Sequence, residues 1–300
     1  LLRLAWPWLR HGLKETMEIF RPELVFAHHT LVCGQVARLI HDQWGIPYVV
    51  TDHEVGDLLN GGSQPRIRAV FERVAEKSRA MVVVSHAMQA AGRKHLPDIS
   101  FEVIHNGSSF PVNREQRPCE PGQELTIFSC AKFYGRKDLP LLIEAFDELA
   151  DNFPVRLRIA GDGPDRGKVE ASVAAARNHE RIQLLGLLDS AAVRKEMEAA
   201  DLFALVGWAE PFGVVFLEAM ASGLPVVVCE DAGIAEVLKD GETAIFTRPR
   251  DKASVVAGLR RILEDPDLRR KMGARGQALY EERFQWPMVL QQYRRLMEPE

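Results

Sequence analysis

Short apolar runs alternate with longer segments of helical periodicity over almost the whole chain. This alternation is typical of βα units that feed a parallel sheet with helices on both faces. Six candidate strands in the second half would complete a doubly wound domain, whereas the first half offers only about four. We therefore predict an α/β protein of two Rossmann-like, doubly wound parallel-sheet domains, the N-terminal one truncated. The predicted strands are Leu24–Ala27, Tyr48–Thr51, Met81–Ser85, Phe101–Ile104, Leu125–Ser129, Leu157–Ala160, Ile182–Leu185, Leu202–Val206, Pro225–Val228 and Ala244–Thr247.

A polar segment with three prolines, FPVNREQRPCEPG from Phe110 to Gly122, separates the two groups of strands. Prolines and charges with few apolar residues are typical of interdomain linkers. We predict an N-terminal domain at residues 1–115 and a C-terminal domain at residues 122–280. The closing stretch from Asp267 to Met297 has a helical pattern, which the Trp286-Pro287 pair should interrupt.

Composition excludes several classes of function. Lys and Arg number 38 against 42 Asp and Glu, a formal charge of -4, so no basic surface is predicted for nucleic acid. No apolar run reaches the roughly 18 residues of a membrane span. Four cysteines without a CxxC pair favour neither a zinc site nor a disulfide framework. We expect reduced thiols at Cys33, Cys119, Cys130 and Cys229.

The first twenty residues leave two interpretations open. Their aromatic and basic side chains are Trp6, Trp8, Arg3, Arg10 and Lys14. Such a set fits a short interfacial helix on an anionic membrane, and an ordinary surface helix of a shortened domain explains it equally well. Pro7 and the two arginines interrupt the apolar residues before a signal-peptide core could form. We expect a cytoplasmic protein, with contact to the membrane surface as the open alternative.

The segment EPFGVVFLEAMASGLPVV, from Glu210 to Val227, carries the most specific chemistry. Gly213 lets a ligand approach the backbone just before a predicted helix, and a helix N-terminus attracts anions and oxygen-rich ligands. Glu218 lies one turn further along the predicted helix, where its carboxylate could accept hydrogen bonds from the vicinal hydroxyls of a ribose. The amides that would converge on a ligand are those of Phe212, Gly213 and Val214. Alternatively, Glu210 merely caps the helix and Glu218 faces solvent.

Two glutamates separated by seven residues around PFG resemble the donor-site motif of the retaining glycosyltransferases of family 4, the glycosyl transferases group 1, which have the GT-B fold. TIFSCAKFYGRKDLPLLIEAF is similar to the family's strand, basic loop and helix. The resemblance implies that Lys132 and Lys137 clasp the donor diphosphate. The match of IQLLGLLD to the strand end beside the nucleotide base makes Leu185 and Gly186 candidate base contacts.

The N-terminal half resembles the same family in PELVFAHHT, GIPYVVTDHE, RAMVVVSHAM and FEVIHNGSSF. In the family, the histidine of a Thr-x-His motif faces the donor sugar across the interdomain cleft, and the matching residue is His53. A histidine at a strand end can also be structural, and this alternative applies to His28 and His29 as well. The resemblance covers about residues 22–295, and the N-terminal domain is shorter than in the family.

The resemblance implies an enzyme, with two domains facing across a cleft and residues 281–300 forming a helix that packs back on the N-terminal domain. The reaction would transfer a sugar from a nucleoside diphosphate to an acceptor hydroxyl by front-side displacement, with retention. Glu210, Lys137 and His53 would be the catalytic set, and Glu210 with Phe212, Gly213 and Val214 would hold the sugar. No metal or cofactor is expected. The acceptor, whether glycan, lipid or small molecule, and the oligomeric state stay open.

Three residues depart from the family's pattern. Ala131 and Ala244 stand where the family commonly has Gly, and Gly207 stands near its usual Ser. A nucleotide-sugar-binding protein without transferase activity, or one needing a partner chain to complete its site, remains an alternative. A sugar-nucleotide epimerase would need base-active carboxylates in the N-terminal half, and no clear set is found there. Dinucleotide redox chemistry is disfavoured because no GxGxxG follows a predicted strand.

Overall fold

The computed structural model describes residues 2–113 and 123–297. The chain divides into two compact units. The first unit comprises Leu1–His105 and Val289–Glu300, and the second comprises Asn106–Met288. Cys119 and most of the predicted linker lie outside the described residues.

The first unit is a four-stranded parallel sheet with helices. Its strands are β1 (Val25–His28), β2 (Tyr48–Asp52), β3 (Ala80–Val83) and β4 (Phe101–Val103), in that spatial order. Its helices are α1 (Leu2–Phe20), α2 (Gln35–Trp44), α3 (Val55–Ser63), α4 (Pro65–Ala75) and α5 (His86–His95), with a π-helix at His29–Gly34 between β1 and α2. Every residue of β2 and β3 is buried, as expected for parallel strands covered on both faces.

The second unit is a six-stranded parallel sheet in the order β10-β9-β8-β5-β6-β7. Its strands are β5 (Leu125–Cys130), β6 (Val155–Ala160), β7 (Ile182–Gly186), β8 (Leu202–Leu205), β9 (Val226–Cys229) and β10 (Ile245–Thr247). Its helices are α6 (Leu139–Ala150), α7 (Arg166–Ala175), α8 (Ser190–Ala199), α9 (Val214–Ala221), α10 (Lys252–Glu264) and α11 (Pro266–Arg283). This is the doubly wound Rossmann order, whose direction reverses between β5 and β8, where ligands bind in such sheets.

The last helix, α12 (Trp286–Met297), follows α11 after a short break. The break confirms the interruption predicted at Trp286-Pro287, because a proline is tolerated in the first turn of a helix but not in its interior. Val289 and Tyr293 of α12 lie in one apolar cluster with Val49 and Val82 of the first unit. The end of the chain therefore completes the core of the first unit.

The structure confirms the predicted fold class. Each of the ten predicted strands is present, with ends within two residues of those expected. The first unit ends at residue 105, whereas the sequence placed the domain end at 115. The difference has a physical cause: the Tyr280 hydroxyl donates to the carbonyl oxygens of Ser108 and Phe110, and the Asn113 amide donates to the carbonyl of Ala221. These bonds fasten residues 106–113 to the second unit.

Helix α1 has both packed and exposed aromatic residues. The ring of Trp6 meets that of Trp44 edge-on at 6.1 Å, and Arg10 donates a hydrogen bond to Gln43. Trp8 is 84% exposed, and Ile19 and Phe20 are exposed as well. Among residues 2–113 and 123–297, no helix combines the length and apolarity that a bilayer crossing requires.

Candidate functional site

The loops that follow β5 and β8 meet at the point where the strand order of the second unit reverses. The Trp208 amide donates a hydrogen bond of 2.9 Å to the Arg136 carbonyl. Gly207 makes this approach feasible, because a Cβ at this position would lie 2.6 Å from the Arg136 carbonyl oxygen and 2.7 Å from the Lys137 Cα. A glycine at position 207 is thus required by the backbone of the neighbouring loop.

A compact ion group joins these two loops. The ammonium of Lys137 forms a direct ion pair and hydrogen bond with the carboxylate of Glu210. The two side chains are only 12% and 13% exposed. Nη1 of Arg136 lies 3.7 Å from the same carboxylate oxygen. Two cations around one carboxylate give this group of three side chains a net positive charge, which favours an anionic ligand.

The backbone around Glu210 is fixed from two sides. Its carbonyl accepts a 2.8 Å hydrogen bond from the Gly233 amide, and the Phe212 carbonyl accepts one from Ile234. Gly213 has a φ of +90°, and a Cβ there would lie 2.7 Å from the Phe216 ring and 3.3 Å from the Glu210 Cγ. Gly213 therefore lets the chain turn tightly into α9 beside the Glu210 side chain. Val214 is the first residue of that helix, where an amide has no intrahelical carbonyl partner.

Glu218 lies on α9, half-buried, and burial raises the pKa of its carboxyl. Burial and, to a smaller extent, the charge of Glu218 raise the pKa of the Cys130 thiol to about 11, and the charge of Lys137 opposes them. Both charges therefore act on the end of β5. The interpretation that Glu218 simply faces solvent does not fit its half-buried position.

Lys132 has a different neighbour. Its ammonium lies 5.1 Å from the centroid of the Tyr134 ring, and a hydrogen bond to Tyr134 raises the pKa of this exposed lysine. The second cation beside Glu210 is Arg136, which the sequence analysis did not single out. In the sequence, the position of Arg136 directly before Lys137 was the feature that could have indicated it as a site residue.

Leu185 and Gly186 end β7, which β6 separates from β5. The Gly186 carbonyl accepts a 2.8 Å hydrogen bond from the Gly161 amide. A Cβ on Gly161 would lie 1.8 Å from the carbonyl oxygen of Ala131, so this glycine allows the ends of β5, β6 and β7 to come together. The structure does not pair Leu185 or Gly186 directly with the Lys137–Glu210 ion pair.

His53 belongs to the first unit and directly follows β2. Its Nε2 lies 2.8 Å from Nδ1 of His28, so one of these two nitrogens carries the shared proton. The His28 and His53 rings stack at 5.1 Å, and His29 meets His53 edge-on at 5.5 Å. Burial lowers the pKa of His28, and the charge of His29 lowers it further. The histidines at the ends of β1 and β2 thus form one cluster of their own.

Comparisons with known proteins cover both units of the chain. The family model described as glycosyl transferases group 1 matches residues 113–279, and the model described as Glycosyltransferase Family 4 matches residues 2–108. The N-acetyl-alpha-D-glucosaminyl L-malate synthase of Bacillus anthracis is 25% identical over 300 residues, covering 97% of this chain and 77% of that protein.

Two solved structures are similar over nearly the whole chain. Sucrose-phosphate synthase from Thermosynechococcus elongatus has a TM-score of 0.82 at 22% identity, covering 98% of this chain and 79% of that one. The Anabaena protein HepE, solved in complex with UDP and glucose, has a TM-score of 0.80 at 20% identity, covering 98% and 82%. Both solved structures therefore share the fold of this chain in both of its units.

Proposed function

Because this chain belongs to the group 1 glycosyltransferases, we propose that its second unit binds a nucleoside diphosphate sugar and that the enzyme transfers the sugar to an acceptor hydroxyl with retention. The observation that carries the proposal is the ion group of Lys137, Arg136 and Glu210 at the reversal of strand order. The UDP in the HepE structure supports testing a nucleoside diphosphate first.

In this proposal Lys137 changes partner when the donor binds. A diphosphate presents more negative charge than Glu210, so the Lys137 ammonium binds it and Arg136 adds a second cation. Lys132, which is exposed, turns from Tyr134 to reach the same phosphates. The same cations stabilise the diphosphate as it leaves, when its charge is greatest.

The acids of the site then bind the two sugars of the donor. Glu210, released from Lys137, accepts hydrogen bonds from the hydroxyls of the transferred sugar. The amides of Phe212, Gly213 and Val214 donate to the same group. Glu218 accepts hydrogen bonds from the ribose hydroxyls, and Leu185 and Gly186 contact the base.

We further propose front-side displacement, in which the leaving diphosphate takes the proton of the acceptor hydroxyl. The protein supplies its own cations for the diphosphate, so transfer should continue in the presence of EDTA. His53 keeps its predicted part in turnover: His53→Ala should lower the rate of transfer and leave nucleoside diphosphate affinity unchanged. An equal loss of affinity in His53→Ala would contradict this role.

Calorimetric titration of the purified chain with UDP, GDP and ADP tests the proposal, followed by NMR of the matching sugar nucleotide for release of the diphosphate and the anomeric configuration of the product. One nucleotide should bind well and its sugar form should be consumed with retention. Binding without turnover would favour a nucleotide-sugar-binding protein, and no binding of any of the three would refute the proposal.

A further inference from the structure

A buried carboxylate in the first unit has no part in the proposed reaction. Asp52, the last residue of β2, has no solvent exposure. Its Oδ1 accepts a 2.9 Å hydrogen bond from the Thr30 amide, and its Oδ2 accepts a 2.5 Å hydrogen bond from the Thr30 hydroxyl. The orientation of the carboxylate is therefore set by the loop that follows β1.

Two further ligand-bearing side chains face Asp52. His29, Asp52 and Asp57 each offer one donor atom, and these atoms all lie within 4.8 Å of one another. His29 and Asp57 are half-buried. Tetrahedral zinc binds nitrogen and oxygen at about 2.0–2.2 Å, so two ligand atoms on one ion lie roughly 3.3–3.6 Å apart. Movements of up to about 1.5 Å, shared among the half-buried side chains, bring the three atoms into this range.

We propose that His29, Asp52 and Asp57 bind one divalent first-row transition-metal ion. One imidazole with two carboxylates suits Zn²⁺ or Mn²⁺ better than Ca²⁺ or Mg²⁺, which prefer all-oxygen sites. Three protein ligands leave further coordination positions to water or another oxygen ligand.

The charge balance of the cluster supports a cation. Two carboxylates lie together in a partly buried place, where like charges repel and unpaired charges cost free energy. An ion of charge +2 between the three side chains neutralises both acids.

The surrounding structure holds the ligands as metal sites require. Metal-binding carboxylates are themselves oriented by hydrogen bonds, and Thr30 provides two of these to Asp52. His29 has a φ of +69° and begins the π-helix His29–Gly34, a form of helix frequent at functional sites. The ligands come from three elements: the start of the π-helix that follows β1, the end of β2 and the first turn of α3. A bound ion would fasten these three elements to one another.

The test is a calorimetric titration of the EDTA-treated, dialysed full chain with ZnCl₂ and with MnCl₂. We expect one ion per chain for at least one of the metals. His29→Gln and Asp57→Asn should each weaken that binding at least tenfold. The matched controls His11→Gln and Asp98→Asn change exposed residues of the same unit and should bind as the wild type does. Circular dichroism verifies that every variant is folded.

A second readout identifies the ligands directly. Co²⁺ bound by the wild type should give visible d–d absorption, which Asp57→Asn should abolish or shift. No stoichiometric ion in the wild type, or equal affinity and spectra in the ligand variants, would overturn the proposal. Because the readout is metal binding, its outcome is independent of the nucleotide titrations and of transferase activity.

Discussion

At the scale of single residues, the Lys137–Glu210 pair explains how a charged site is kept in a folded protein before its ligand arrives. A partly buried ammonium without a counterion is costly, and Glu210 supplies one. In the proposed donor complex a diphosphate takes over Lys137, and Glu210 becomes free to accept hydrogen bonds from sugar hydroxyls. One ion pair would thus link binding of the two halves of the donor.

Glu218→Gln tests the ribose contact. The amide keeps the size of the side chain but is a weaker acceptor than a carboxylate, for which a hydrogen bond contributes about 1.5–3 kcal/mol. We expect wild type to prefer a nucleoside diphosphate over its 2′-deoxy form by roughly ten- to hundredfold, and Glu218→Gln to lose most of this preference in calorimetry. Glu180→Gln, which changes an exposed acid of the same unit, should keep it. Undiminished discrimination in Glu218→Gln would exclude the ribose role.

The pH dependence of binding provides a separate check on Glu218. Burial raises the pKa of this carboxyl above its usual value of 4.5, so the group gains its proton earlier as the pH falls. Protonation removes the negative acceptor, and nucleotide affinity should therefore decrease through that raised pKa. Comparing dissociation constants of wild type and Glu218→Gln across the acid range cancels the titration of the phosphate itself. The ratio between the two proteins should shrink as the pH falls, and a constant ratio would argue against the assignment.

At the scale of elements, Gly207 in the loop after β8 allows close contact with the loop after β5. Gly207→Ala places a methyl group against the backbone of Arg136 and Lys137, which must move. Overpacking of this kind costs about 1–3 kcal/mol, and displacement of Lys137 should weaken nucleotide binding as well. Thermal unfolding and titration measure both effects. Gly167→Ala, on α7 with open space around it, is the matched control and should not lower stability.

The strands could be predicted well from the sequence because an apolar run indicates a buried strand. Strands such as β3 and β9 are buried on both faces, and an unbroken apolar run is the pattern typical of such strands. Glu210 and Glu218 could be proposed as site residues for a different reason, namely their resemblance to a family motif. The side-chain positions of Arg136 and Lys132 could not be predicted from the sequence. The direction of a side chain in a loop depends on local contacts, such as that between Lys132 and Tyr134.

The contacts within the histidine cluster could not be predicted from the sequence either. His28, His29 and His53 are recognisable in sequence as polar residues at strand ends. Their mutual contacts depend on the parallel register that sets His28 opposite Thr51 and on the left-handed backbone of His29. Neither feature can be inferred from composition or spacing. The same holds for Asp57, which reaches Asp52 from the first turn of the next helix.

At the scale of the whole molecule, the end of the chain belongs to the core of the first unit. Val289 of α12 has no solvent exposure and packs in the cluster with Val49, whereas the next apolar residue, Leu290, is 46% exposed. Val289→Ala should cost about 1–3 kcal/mol through lost burial and the cavity left behind. Leu290→Ala, its neighbour on the same helix, should cost far less.

Thermal unfolding with a saturating nucleoside diphosphate separates the two units, because a ligand that binds only the folded second unit raises its stability. Under these conditions Val289→Ala should lower the unfolding temperature of the first unit and leave that of the second unchanged. An equal loss in Leu290→Ala, or an equal fall in both units, would show that α12 does not stabilise the first unit specifically.

The most direct test of the donor site compares a nucleoside diphosphate with its monophosphate in wild type and Lys137→Ala. If Lys137 binds the terminal phosphate, wild type should prefer the diphosphate by roughly ten- to hundredfold, since hydrogen bonds to charged groups contribute about 1.5–3 kcal/mol. Lys137→Ala should lose most of this preference, while Lys195→Ala, an exposed lysine of the same unit, should keep it. A diphosphate preference that survives in Lys137→Ala would contradict a donor site built on the Lys137–Glu210 pair.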